Sequence, residues 1–166
     1  MADTNLSIAQ IELGLARYFD VRANVIVTNL SYGMLNHEAD IVVMSKAGYL
    51  TEVEIKRSYA DFIADFRKRH HHEDDLISWY YFAVPQAIAE KCAHKLQEVD
   101  SEKKWGLLCY DDEAGECYVS CAFHPANKNI HLKYKQLSLH EQFQFARLGA
   151  LRQWSLKEKI IKSQNK

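Results

Sequence analysis

The chain has 166 residues, of which 48% are hydrophobic and 26% are charged, and its formal net charge at pH 7 is −1. This composition is typical of one globular domain, here residues 1–166, that is long enough to bury a hydrophobic core. It excludes a broadly basic chain, so any nucleic-acid partner would be held by a local basic patch or through metal ions. No apolar run approaches the roughly 20 residues of a membrane-spanning helix, and the N-terminus lacks a signal-peptide pattern. We therefore expect a cytoplasmic protein without membrane contacts.

The first third of the chain predicts one helix followed by three strands. Residues 8–19 carry apolar side chains at helical spacing, and Ser7 precedes them as a candidate N-cap. The short run VIVTNL, residues 25–30, predicts the first strand. Residues 39–45 and 49–56 predict two more strands joined by the three-residue loop Lys46-Ala47-Gly48.

The rest of the chain alternates helical and strand patterns. Helical spacing begins at Ser58, and residues 76–85, LISWYYFAVP, predict a central strand buried on both faces. A helix over 86–98 is followed by strands over 105–111 and 116–123, which flank a turn at 112–115. Ser138 and Glu141 form a capping-box pair at the start of the last helix. The order α-β-β-β-α-β-α-β-β-α predicts an α/β domain with a mixed sheet between helices.

The four cysteines show no metal-binding spacing. They form no CxxC pair and lie in apolar segments, at Cys92, Cys109, Cys117 and Cys121. We interpret them as small buried side chains in a reducing compartment, in preference to a structural zinc site.

The predicted hairpin places charged residues among its valines and isoleucines. If Ser45 faces Tyr49, outward pairing sets Asp40 directly opposite Glu54. Period-two alternation then puts Glu52 and Lys56 on the same face, and the apolar residues of both strands on the other. A bulge at the turn would shift the register by one residue and turn Asp40 away.

Two opposed carboxylates destabilise a sheet unless a cation lies between them. An all-oxygen pair of ligands suits Mg²⁺ or Mn²⁺, which keeps water ligands and binds substrate phosphate. Such an ion polarises a phosphoryl oxygen and activates water, while Lys56 could orient that water or stabilise developing charge. The alternative is an ordinary solvated face, because alternating charges are common on strands.

This segment resembles the motif of the PD-(D/E)XK nuclease superfamily: Asp40 is followed by a hairpin, then by Glu54-Ile55-Lys56 and at once by a helix. Within that superfamily, TEVEIKRSYADFIADFRK, then WYYFAVP and the later FARLGALRQW, is similar to MmcB-like DNA-repair nucleases. Ala39 stands where the strict motif has proline. The resemblance implies a restriction-endonuclease-like fold and a metal-dependent DNA nuclease, with Asp40, Glu54 and Lys56 as catalytic residues. It also implies that a glutamate on the first helix, here Glu12, completes the metal site, although Glu12 could equally be an ordinary solvent-facing residue.

Other polar residues near the motif have simpler interpretations beside the functional ones. Ser58 and Asp61 are predicted to cap the second helix, and Asp65 to be a charge on its face. A basic group could follow a phosphate backbone: Arg57, Arg67, Lys68 and Arg69. The run His70-His71-His72 is interpreted as a helix end, because consecutive helical residues point in different directions. Three lysines of the tail are candidates for a second phosphate contact or for solubility alone: Lys157, Lys159 and Lys162.

Two functions are consistent with these residues. The first is a Mg²⁺- or Mn²⁺-dependent DNA nuclease acting in repair, recombination or defence. The second is a non-catalytic nucleic-acid- or protein-binding module on the same fold, which the near-neutral net charge favours. Under the first, alanine at Asp40, Glu54 or Lys56 is expected to lower metal-dependent cleavage by orders of magnitude without unfolding the chain, since it relieves clustered charge. The sequence leaves open whether the chain forms a homodimer.

Overall fold

The computed structural model describes residues 5–30, 33–66, 74–126 and 135–164. The helices are α1 Ile8–Tyr18, α2 Tyr59–Asp65, α3 Ala89–Val99 and α4 Leu139–Gln164, and a 3₁₀ turn, Gln86–Ile88, precedes α3. The strands are β1 Val25–Leu30, β2 Ala39–Met44, β3 Leu50–Ile55, β4 Ile77–Pro85, β5 Trp105–Glu113 and β6 Glu116–Phe123. The predicted α/β class and the predicted element order are confirmed.

The six strands form one mixed sheet in the order β1-β2-β3-β4-β5-β6. The central pairs, β3–β4 and β4–β5, are parallel, whereas the outer pairs are antiparallel. Parallel neighbours require a crossover, which α2 and α3 supply. The carboxyl ends of β3, β4 and β5 therefore share one edge of the sheet, and the β2–β3 turn lies at the opposite edge.

Helices cover both faces of the sheet. On one face, Ile11 and Leu15 of α1 pack with Ile41 and Val53 in a buried cluster. On the other face, α4 packs Phe145 on β1 to β3, and α2 and α3 pack around Phe82 of β4. The second face is the one that carries the acidic residues of β3.

The turns show where the sequence prediction is accurate and where it is not. The β2–β3 turn has three residues as predicted, with Ser45 N donating to Tyr49 O at 3.0 Å and Gly48 at φ +80°. The β5–β6 turn is shorter than the predicted 112–115, because both strands continue until only Ala114 and Gly115 remain, at φ +55° and +85°. Two successive residues at positive φ make the tight reversal that suits twisted antiparallel strands.

Three of the four cysteines are buried as predicted, and Cys121 is only partly buried. Within the described part of the chain, no helix is both long and apolar enough to cross a membrane.

Candidate functional site

The predicted register of the β2–β3 hairpin is confirmed. Ile41 pairs with Val53 and Val42 with Glu52, so one further step of the same ladder sets Asp40 opposite Glu54. Val53 and Ile55 lie in the cluster under α1, which leaves Glu52 and Glu54 on the opposite face. No bulge shifts this pairing, because the three-residue turn keeps Ser45 opposite Tyr49.

At the end of this ladder, the carboxylates of Asp40 and Glu54 each contact the backbone of the other strand. Asp40 Oδ2 accepts a hydrogen bond from Ile55 N at 2.8 Å, and Glu54 Oε1 accepts one from Asp40 N at 3.5 Å. Asp40 thus binds the β3 backbone through its side chain, and the regular ladder stops there. Glu54 is only 5% exposed, whereas Asp40 is half-buried, so the pair is open to solvent on the Asp40 side.

Lys56 links two buried carboxylates. Its Nζ donates to Glu54 Oε2 at 3.0 Å and to Asp65 Oδ1 at 2.9 Å. Lys56 and Asp65 are each 4% exposed. Burial alone would lower the pKa of Lys56, but the two carboxylates outweigh that effect and raise the pKa. Lys56 is therefore a fixed cation at neutral pH.

The contact with Asp65 corrects one sequence interpretation. Asp65 is a buried ion-pair partner and not a charge on the exposed face of a helix. It also changes the expectation for Lys56→Ala, because removing the ammonium would leave two buried carboxylates without their shared cation. The helical spacing from Phe62, which is fully buried, to Asp65 three residues later was the signal that could have placed Asp65 inward.

The start of α2 is built as predicted. Ser58 Oγ accepts from Asp61 N at 3.1 Å, and Asp61 Oδ2 accepts from Arg57 N at 3.2 Å. These capping contacts satisfy backbone donors that have no partner within the helix. They fix the direction in which α2 leaves β3, and hence the position of Asp65 over Lys56.

Of the four basic residues near the motif that were predicted to contact phosphate, the structure describes only Arg57. The side chain of Arg57 donates from Nη2 to Leu6 O at 3.1 Å, so it is tied to the segment before α1. Phosphate binding by Arg57 stays a prediction. The remaining predicted contacts, Arg67, Lys68 and Arg69, and the histidines His70 to His72 lie outside the described residues.

Glu12 reaches the same end of the sheet from α1. Its Oε1 accepts from Asn29 Nδ2 at 2.8 Å, and the β1–β2 register sets Asn29 opposite Asp40. Burial raises the pKa of Glu12, as does the negative charge of Asp40, although Asn29 and Arg152 act in the opposite direction. Glu12 and Asp40 are thus close enough for their charges to interact.

Asn29 is a residue that sequence reasoning missed. Its backbone has a φ of +50° within β1, beside Asp40, a conformation that asparagine adopts more readily than most residues. The only sequence signal is an asparagine within a run of strand-forming residues, where it is unfavourable.

A third buried acidic residue, Glu52, lies next along the same face of β3. Glu52 is fully buried, and its Oε2 lies 2.8 Å from His37 Nε2. The other ring nitrogen, Nδ1, lies 2.7 Å from Asn36 Oδ1, and Asn36 N donates to Asp74 Oδ2 at 2.9 Å. The sequence placed Glu52 on this face but gave no sign that His37 would fold over it, because the contact depends on the path of a loop.

The candidate ligand atoms are of the type that a hard cation prefers. Most of the ligands of such an ion would nevertheless come from outside the protein. Asp40, Glu54 and Glu12 are all oxygen donors, which Mg²⁺ and Mn²⁺ prefer. The described residues contain no group of three histidine, cysteine, aspartate or glutamate side chains placed to hold a metal ion. One or two carboxylates nevertheless suffice for Mg²⁺ when water and substrate phosphate supply the remaining ligands.

Comparisons with known proteins identify a similar fold but give no information on function. No family model and no curated protein matches the chain. A solved structure, the SPO1766 protein of unknown function from Silicibacter pomeroyi, is similar with a TM-score of 0.62 at 16% sequence identity. The match covers 98% of this chain and 97% of that one. The chain therefore shares its fold with a protein whose own function is unknown.

Proposed function

We propose that this chain is a metal-dependent nuclease that hydrolyses phosphodiester bonds in DNA, in repair, recombination or defence. The observation that carries the proposal is the Asp40–Glu54 pair beside a buried Lys56 whose charge is fixed by two carboxylates. The resemblance of this segment to PD-(D/E)XK nucleases supports the same conclusion. A DNA substrate and the cysteine usage fit the cytoplasm as the place of action.

Asp40 and Glu54 would hold Mg²⁺ or Mn²⁺, and Glu12 would complete the site from α1. Bound there, the ion would supply a Lewis acid to the phosphoryl group. Asp40 is the member of the pair nearest to solvent, so substrate phosphate would approach from its side. The hydrogen bond from Ile55 N keeps Asp40 in place before the ion arrives.

Lys56 would act as a cation and not as a base. Its ammonium is held by ion pairs with Glu54 and Asp65 at 3.0 and 2.9 Å. A preorganised ammonium is suited to stabilising negative charge that develops on the phosphate in the transition state. Asp65 would hold that ammonium in position without contacting the substrate.

The proposal is tested by incubating the purified chain with single-stranded, duplex and branched DNA, each with Mg²⁺, Mn²⁺ or EDTA. Cleavage that requires the metal and is lost in Glu54→Gln is expected. The second candidate, a binding module without activity, is supported by the net charge of −1. Binding of DNA with no cleavage of any substrate under any metal condition would favour that second candidate.

A further inference from the structure

Helix α4 runs along the edge of the sheet toward the candidate site. Its start is tied to the β2–β3 turn, where Leu137 N donates to Gly48 O at 2.9 Å. Phe145 is fully buried, and a Cβ added at Gly149 would meet the Val27 side chain at 3.1 Å. Since Val27 lies in the middle of β1, the helix follows β1 in the direction of Asn29 and Asp40.

Arg152 is the last residue of α4 that the body of the protein partly buries. Its charge acts on Glu12, so it lies at the edge of the candidate site. The buried Nε of Arg152 has no hydrogen-bond acceptor among the described residues. Because Arg152 is only partly buried, it presents a permanent positive charge at this edge.

Beyond Arg152 the helix leaves the body of the protein. All residues from 153 to 164 are exposed, and twelve helical residues span about 18 Å. This segment, the α4 arm, therefore projects past the end of β1 that lies beside Asp40. An exposed helix of this length gains nothing from packing in the isolated chain and is only marginally stable by itself.

The charge of the α4 arm differs from that of the whole chain. The arm carries three lysines and one glutamate, a net charge of +2, whereas the chain has −1. Its lysines are Lys157, Lys159 and Lys162. Lys159 and Lys162 are three positions apart and share one side of the helix, while Lys157 covers the ring of Trp154 at 4.6 Å from its centroid.

We propose that the α4 arm, with Arg152 at its base, binds the nucleic-acid backbone beside the phosphate that occupies the candidate site. This inference rests on the proposed function for the identity of the partner. The positive charge of the arm and its position next to the carboxylates favour a polyanion that passes through the site. Pairing of two arms from two copies would bury Trp154 and Ile161 but would bring like charges together.

The test is DNA binding by the full chain in EDTA, so that no cleavage occurs. A labelled duplex is titrated at several salt concentrations with wild type and with K157Q/K159Q/K162Q. The matched control, K46Q/K103Q/K104Q, removes three exposed lysines at the opposite end of the sheet. Circular dichroism and sedimentation of each protein report its folding and its oligomeric state.

The arm variant is expected to bind at least about tenfold more weakly at roughly 0.1 M salt, with the control close to wild type. The slope of log affinity against log salt should fall by about 1 for each lysine that contacts phosphate. Equal losses in arm and control variants, or no loss in the arm variant, would overturn the proposal. A wild-type dimer that Trp154→Ser and Ile161→Ser dissociate, with DNA binding unchanged, would instead assign the arm to self-association.

The result separates this inference from the nuclease proposal. If the wild type binds DNA through the arm but cuts no substrate, the arm stands and the nuclease proposal fails. If the wild type cuts DNA and the arm variant binds as tightly as wild type, the arm assignment alone fails.

Discussion

The buried contact between Lys56 and Asp65 makes a quantitative prediction about stability. Asp65→Asn keeps the shape of the side chain and removes its charge, while Lys56 keeps Glu54 as a partner. A hydrogen bond to a charged group contributes about 1.5–3 kcal/mol, and breaking a buried ion pair costs about 3–5 kcal/mol. Because one carboxylate remains for Lys56, we expect Asp65→Asn to lower the free energy of unfolding by about 2–3 kcal/mol.

The assay is urea unfolding of a double-mutant cycle that combines Asp65→Asn with Lys56→Met. We expect a coupling free energy of about 2 kcal/mol between the two positions. A matched control cycle uses Lys95→Met and Glu98→Gln, a pair at 3.0 Å compared with 2.9 Å for Lys56 and Asp65. The control pair is solvated, and its coupling should be only about 0.3–0.5 kcal/mol. Equal coupling in the two cycles would refute the argument that burial of the pair matters.

Three further predictions follow from neighbouring residues. Ser58→Ala should lower the free energy of unfolding by about 1 kcal/mol because the N-cap is lost, and Ser58→Asp should restore the stability. Loss of cleavage at unchanged stability would instead make Ser58 catalytic. Since burial raises the pKa of Glu12 above its usual value, calorimetry should show Mn²⁺ affinity falling as pH falls through that pKa and levelling off above it. Glu12→Gln should remove this part of the pH dependence, and an unchanged profile would exclude Glu12 from the site. Asn29→Val should destabilise the fold by about 1–2 kcal/mol in thermal unfolding, because valine is strained at the φ of +50° that position 29 adopts. An unchanged stability would contradict this argument.

Local rules were sufficient for several elements of this structure. The length of the β2–β3 turn set the register of Asp40 and Glu54, because pairing propagates outward from the turn. The caps Ser58 and Ser138 were predictable because their hydrogen-bond partners, Asp61 and Glu141, lie three residues away. The continuous apolar run of β4 likewise indicated a central strand, and β4 lies between β3 and β5 in the sheet.

The parts that sequence reasoning missed depend on tertiary packing. Asp65 is drawn inward by the docking of α2 over Lys56, a contact nine residues apart along the chain. The contact between His37 and Glu52 depends on a loop folding over the sheet. The left-handed conformation of Asn29 lies inside the edge strand β1. Only Asp65 has a periodic signal, its helical spacing from the buried Phe62. The positions of His37 and Asn29 are fixed by the arrangement of several elements.

The course of α4 was also beyond local rules. Its lysines could be interpreted from sequence either as phosphate contacts or as solubilising residues. Only the close approach of Gly149 to Val27 and the effect of Arg152 on Glu12 show that the helix passes the end of β1 near Asp40 before it leaves the body of the protein. That placement is the basis for proposing that the lysines of the α4 arm bind nucleic acid beside the candidate site.

The most direct test of the central claim is the rate of metal-dependent DNA cleavage by wild type and by two isosteric variants, Asp40→Asn and Glu54→Gln. Glu116→Gln, an exposed change at the start of β6, serves as the control. We predict that each site variant lowers the rate with Mn²⁺ by orders of magnitude and that the control cuts like wild type. Cleavage by either site variant at the wild-type rate would contradict the assignment of Asp40 and Glu54 to the metal site.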